Sequence, residues 1–167
     1  MATTYEPIST TTLGSAAASH TFSSIPATYT DLVLVCSTSG TTGAADDSFN
    51  LRFNGDTTTN YSDTALRGNG TSVTSFRDTS STGIFIGQTI ANSSTSFTPI
   101  QLNVMNYTNT TTFKTLLSRN NYSGGYVEAV VGLWRATPAA ITSITLYYST
   151  NNITAGSTFT LYGIKAA

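Results

Sequence analysis

The 167 residues carry 7 Lys and Arg against 8 Asp and Glu, a net charge of −1 and a pI near 5.6. Only 9% of the chain is charged, against roughly 25% in an ordinary domain, while Thr and Ser together supply about a third of it. With 39% hydrophobic residues it is no disordered chain. It has no basic field for nucleic acid, and no apolar run of the roughly 20 residues that a membrane-spanning helix needs.

Met1 leads into Ala2-Thr3-Thr4-Tyr5 without basic or apolar runs, so no signal peptide and synthesis in the cytosol are expected. A first strand is predicted over 5–13. Residues 1–13 read as an N-terminal strand or arm, with Tyr5 and Ile8 as candidate subunit contacts, and 14–167 as the sandwich domain. The stretch 13–19, through Ala16-Ala17-Ala18, is the one helix-like segment and is too short to stand alone. A strand over 20–25 holds His20, the only histidine, read as a sheet-surface or subunit-contact residue. Residues 32–36 are apolar throughout, as are 84–86, which predicts strands covered on both faces. Cys36, the only cysteine, reads as a small buried residue.

Farther along, apolar residues alternate. Phe49, Leu51 and Phe53 oppose Asn50, Arg52 and Asn54, and Ile100, Leu102 and Val104 oppose Gln101 and Asn103. Val127, Ala129, Val131 and Leu133 read as a core face with Glu128, Val130, Gly132 and Trp134 opposite, and Ile144, Leu146 and Tyr148 repeat the pattern. This period of two marks strands with one face on a core. Further strands are predicted over 113–119 and 158–165. Turn signals separate them at Ser39-Gly40, Asn54-Gly55-Asp56, Gly68-Asn69-Gly70, Asn92-Ser93-Ser94, Ser123-Gly124-Gly125 and Asn151-Asn152. Nine or ten short strands at this spacing predict an all-β fold, a single antiparallel two-sheet β-sandwich of jelly-roll type.

The titratable inventory argues against an enzyme. One histidine allows no two-histidine metal site. Glu6 and Glu128 are the only glutamates, and a glycosidase needs a carboxylate pair; a polysaccharide depolymerase built on Glu128 is the weakest reading. Asp56, Asn60 and Asp63, or the exposed pair Asp46-Asp47, could offer oxygen to calcium, but they lack the EF-hand spacing. No cofactor and no resident metal is expected. The nine Tyr, eight Phe and one Trp leave Tyr61, Tyr122 and Trp134 as candidate contacts, either at a subunit interface or, for the tyrosines, on a sugar.

The segment Leu51-Arg52-Phe53-Asn54-Gly55-Asp56-Thr57-Thr58-Thr59-Asn60-Tyr61-Ser62 resembles small β-sandwich proteins encoded among virion genes of tailed bacteriophages, including cyanophages. Thr21-Phe22-Ser23-Ser24-Ile25-Pro26, Gly132-Leu133-Trp134-Arg135 and Gly156-Ser157-Thr158-Phe159-Thr160-Leu161-Tyr162-Gly163-Ile164 share it. The resemblance implies a structural component of the virion, made in the host cytoplasm. The expectation is a capsid decoration or cement protein, bound to the major capsid protein or another virion protein and itself a homotrimer. The alternative is a tail- or head-fibre module that binds a host glycan. Neither reading has nucleic acid or membrane as partner.

Overall fold

The computed structural model describes residues 4–41, 47–89, 96–122 and 125–165. Among the described residues twelve strands follow one another: β1 (Tyr5–Thr12), β2 (Ser19–Phe22), β3 (Asp31–Thr38), β4 (Asp47–Phe53), β5 (Tyr61–Gly68), β6 (Val73–Ser81), β7 (Ile84–Thr89), β8 (Thr98–Val104), β9 (Lys114–Tyr122), β10 (Tyr126–Trp134), β11 (Ile144–Tyr148) and β12 (Thr158–Ile164). They form two antiparallel sheets packed as a sandwich. The larger has the order β1-β12-β3-β8-β9-β10-β5-β6, and the smaller β2-β11-β4-β7. The helix-like stretch 13–19 is extended, and Ala17 bridges to Ile153. The expected turn at 92–94, Asp46 and Ser123-Gly124 lie outside the described residues.

The alternation read in 49–53, 100–104 and 144–148 is the alternation of burial. Phe49, Leu51, Phe53, Ile100, Leu102, Val104, Ile144, Leu146 and Tyr148 are all in the main core. The turn after β4 shows why Asn54-Gly55 is there. Both residues have positive φ, 52° and 67°, and the Asp56 amide donates to the Phe53 carbonyl at 3.0 Å. This is the geometry of a tight primed turn, which Asn and Gly tolerate best. Asn54 also ties the turn to a neighbour: its Oδ1 accepts from the Thr142 amide at 2.8 Å, and its Nδ2 donates to the Ala140 carbonyl at 2.8 Å.

Four expectations need correction. In β10 the phase is reversed: Glu128, Val130, Gly132 and Trp134 face inward, while Val127, Ala129 and Val131 face out. The inner set includes a glycine because Ile84 and Leu116 leave no room; a Cβ on Gly132 would collide with Ile84 Cγ2. In 32–36, Val35 is exposed while Leu32, Leu34 and Cys36 are core. Residues 61–68 and 73–81 form strands that no alternation announced, because β5 buries Asp63 on its inner face and β6 is exposed along nearly its whole length. His20 turns inward, stacked on Phe159 and edge-on to Phe22 at centroid distances of 4.7 Å, and burial lowers its pKa.

By contrast, 84–86 is covered on both faces. Ile84 and Ile86 join the main core, and Phe85 packs with Ala65 and Val130 in a second cluster. Cys36 is buried, and that burial pushes its thiol up to about 12, which leaves an inert apolar side chain.

Candidate functional site

Most of the aromatic candidates turn out to be structural. Trp134 and Tyr61 are buried, their rings parallel at 6.4 Å, with Phe53 at 5.7 Å from Trp134. The Trp134 indole Nε1 donates to Asp56 Oδ2 at 2.7 Å. The Tyr61 hydroxyl accepts from the Phe53 amide at 3.1 Å and lies within donating distance of the Asp56 carbonyl, at 3.1 Å; burial raises its pKa. Buried rings with satisfied polar tips belong to the fold, so neither residue is open to a partner or a sugar. Tyr122 is also buried, stacked on Tyr126 at 5.7 Å. Ile8 packs against the main core. Of the five candidates only Tyr5 is open, at 56% exposure.

At the calcium candidates Asp56 and Asp47, carboxylate oxygens accept hydrogen bonds from donors within the fold. Asp56 Oδ1 accepts from the Thr58 amide at 2.9 Å and the Thr58 hydroxyl at 2.5 Å, and its Oδ2 from Asn60 Nδ2 at 3.0 Å as well as from Trp134. Desolvation alone would raise the Asp56 pKa, but the bonds from Thr58, Trp134 and Asn60 hold it well below the usual carboxylate range. Asp47 is buried rather than exposed, and its Oδ2 accepts from Thr150 and Asn151, the Asn151 amide at 3.0 Å.

Glu128, the depolymerase candidate, is bound as tightly. Its Oε1 accepts from Arg67 Nε at 2.6 Å, with Arg67 Nη2 at 2.5 Å. Its Oε2 accepts from the Gln88 amide at 2.7 Å and Asn120 Nδ2 at 3.1 Å. Arg67 reaches on to Gln88 Oε1 at 2.7 Å and lies over the Phe76 and Tyr126 rings at 5.1 and 4.9 Å. Gln88 belongs to the small sheet and the others to the large one, so this network ties the two layers together.

Two surface features remain. The first is the outer face of the large sheet. Val127, Ala129 and Val131 of β10 stand on it beside cross-strand neighbours Leu66, opposite Ala129 on β5, and Leu117, opposite Val131 on β9. Val127 is 64% exposed, Val131 55% and Leu117 53%. A groove of about 560 Å³ crosses this face, lined by Tyr5, Gln101, Asn103, Met105, Leu117, Arg119 and Ala129. The twist of a large sheet lets one depression reach from an edge strand to β10. Arg119 Nη2 donates to Gln101 Oε1 at 2.6 Å, which fixes the polar pair within an apolar surround.

The second is a polar cleft of about 280 Å³, lined by Asn50, Arg52, Asp63, Asp78, Ser81, Thr82, Tyr147 and Ser149 among others. Asp63 on β5 pairs in register with Asp78 on β6. Its Oδ2 accepts from the Phe85 amide at 3.2 Å. Its Oδ1 is buried without a partner. Burial, with the Asp78 charge adding to it, raises the Asp63 carboxyl to about 6.

No protein-family model matches the chain, and no curated protein does. Among solved structures it is similar to exo-inulinase from Aspergillus awamori, at 12% identity and a TM-score of 0.46, with 96% of this chain covered. The chain spans only 29% of that protein's length. It is also similar to the galectin LEC-6 of Caenorhabditis elegans, at 13% identity and a TM-score of 0.36, over 94% of this chain and 96% of the galectin. A homodimeric agglutinin from chicken liver, CG-16, follows at 8% identity and a TM-score of 0.32, over 84% and 98% of the two chains. At such identities the likeness is one of fold alone.

Proposed function

We propose that the chain is a non-enzymatic structural module of a phage particle that acts through protein–protein contacts of the outer face of its large sheet. The observation that carries this reading is the contiguous apolar row Leu66, Ala129, Val131, Leu117 and Val127, exposed on paired strands. Soluble monomers rarely leave such rows open unless something covers them. The near-zero net charge supports close packing of many copies, since there is little field to hold them apart. The segments resembling virion proteins support the particle as the setting, with capsid decoration as the expected role. Glu128 and Asp56, whose carboxylate oxygens are taken up by donors within the fold, are poor catalysts and good structural residues.

The test is to express the chain with Leu117→Arg and Val131→Lys together and to ask whether it enters particles. The wild-type chain is expected in purified virions at fixed stoichiometry, the double variant absent from them but folded, with its melting temperature little changed. Particles that lack the chain, or that take up the variant as well as the wild type, overturn the reading. A Val130→Lys control, aimed inward, is expected to unfold instead.

A second reading, a glycan-binding fibre module, is favoured by the open Tyr5 ring beside Gln101, Asn103 and Arg119 in the groove. It predicts adsorption to host cells that Tyr5→Ala weakens at least tenfold. Equal adsorption by the variant removes it.

A further inference from the structure

We propose that Asp63 and Asp78 form a binding site for a hard divalent cation, of which calcium is the type, and that the ion fastens the edge strand β6 to the sandwich. The argument begins with an unmet requirement. Asp63 is 4% exposed, and a buried carboxylate oxygen needs donors or a cation to replace its lost water. Oδ2 has the Phe85 amide, and Oδ1 has nothing.

Its cross-strand partner is not a base but a second carboxylate. Like charges directly opposite on a sheet are destabilising, and among the described residues no ion pair relieves them, although Arg77 lines a neighbouring depression with both aspartates. Arg52 lines the same cleft, yet its Nε donates to the Thr82 carbonyl at 2.7 Å and its guanidinium lies 4.1 Å from the centre of the Tyr147 ring. The ion pairs among the described residues are Arg67 with Glu128 and Lys165 with Glu6, neither of which involves this pair.

The rest of the cleft supplies neutral oxygens. Asn50 uses its Nδ2 on the Ser48 carbonyl and the Ser149 hydroxyl, both at 2.9 Å, which leaves its Oδ1 as an acceptor. Ser81 and Ser149 hydroxyls line the same space. Among the described residues no three or more His, Cys, Asp or Glu come together as a metal-binding group. Two carboxylates with neutral oxygens suit calcium, which takes six to eight oxygen ligands, and do not suit zinc.

Strand β6 stands to gain most. All but the last of its residues are exposed; beyond its pairing with β5, Phe76 lies edge-on to Phe85 at 5.5 Å. An ion shared between Asp78 and Asp63 adds a tie to that ladder and to the Phe76–Phe85 contact.

The test is calcium titration of the intact chain by calorimetry and by thermal melting. With so few carboxylates, dissociation constants of about 10⁻⁴ to 10⁻³ M are expected. At roughly tenfold excess over that constant the melting temperature rises by about 3 °C or more, and amide exchange slows across 73–81. Asp78→Asn, an exposed substitution that keeps the fold, abolishes both effects. No saturable heat in the wild type overturns the proposal, and so does an equal response in Asp78→Asn. Asp63→Asn serves as a second variant, and Asp78→Asn decides alone if that one fails to fold.

Discussion

Glu128→Gln tests the interlayer network most directly. The substitution keeps shape and volume but removes the charge that holds Arg67, and it puts an amide donor where four donors now converge. Breaking one partner of a buried ion pair costs about 3–5 kcal/mol, since the other charge is left uncompensated. The Glu128 side chain is fully buried and that of Arg67 is 20% exposed. Water therefore recovers part of the Arg67 loss, which places the effect at the lower end, about 3 kcal/mol. In a domain of this size that lowers the melting temperature by about 6–12 °C. Urea denaturation at neutral pH gives the free energy, and the cycle with Arg67→Met isolates the coupling. The double variant is expected to be more stable than the sum of the two single losses. A Glu128→Gln loss below about 1 kcal/mol, or strict additivity in the cycle, would refute the reasoning.

Two other substitutions probe the fold. Asp56→Asn weakens the acceptor shared by Thr58, Asn60 and Trp134, and is expected to cost about 1–3 kcal/mol at neutral pH. Because Asp56 is held below its unfolded pKa, its contribution is present above about pH 4 and is lost as pH falls toward the folded value. The wild-type melting temperature should therefore fall more steeply than the variant's between about pH 5 and pH 2, and parallel curves would contradict this. Gly132→Ala drives a methyl into Ile84 and should cost about 1–3 kcal/mol by overpacking. The companion change Ile84→Val should recover part of that loss, and a variant as stable as the wild type would show that β10 shifts freely.

The sandwich was legible wherever one face of a strand is apolar and the other polar, as in β4, β8 and β11. Reading failed where a strand broke that code for a reason. In β10 the inner face carries Glu128 and Gly132, a charge satisfied by Arg67 and a gap filled by Ile84, while the outer face carries Val127 and Val131. Hydrophobicity alone then points to the wrong side. In β5 the buried face includes Asp63, and β6 has no buried face to read. The aromatic candidates failed similarly. Tyr61 lies near polar loop residues in sequence, and Asp56 among them is the partner that lets both it and the distant Trp134 be buried. Tyr5, next to the chain start, was the candidate that stayed exposed. The apolar row on the outer face was hidden because Val127, Ala129 and Val131 read as a core face.

The alternation along β9 and β10 also bears on how this protein can diverge. The inward set, from Leu116 and Ser118 to Val130 and Trp134, is locked to Ile84, Ile86 and Asp56. Leu117, Arg119, Val127 and Val131 face away from that core. Substitutions at the second set change what the face recognises while leaving the first untouched. Relatives should therefore drift quickly in partner choice while retaining Asn54-Gly55-Asp56 and Trp134, so that common descent is easier to trace in the turn after β4 than on the surface that makes contact.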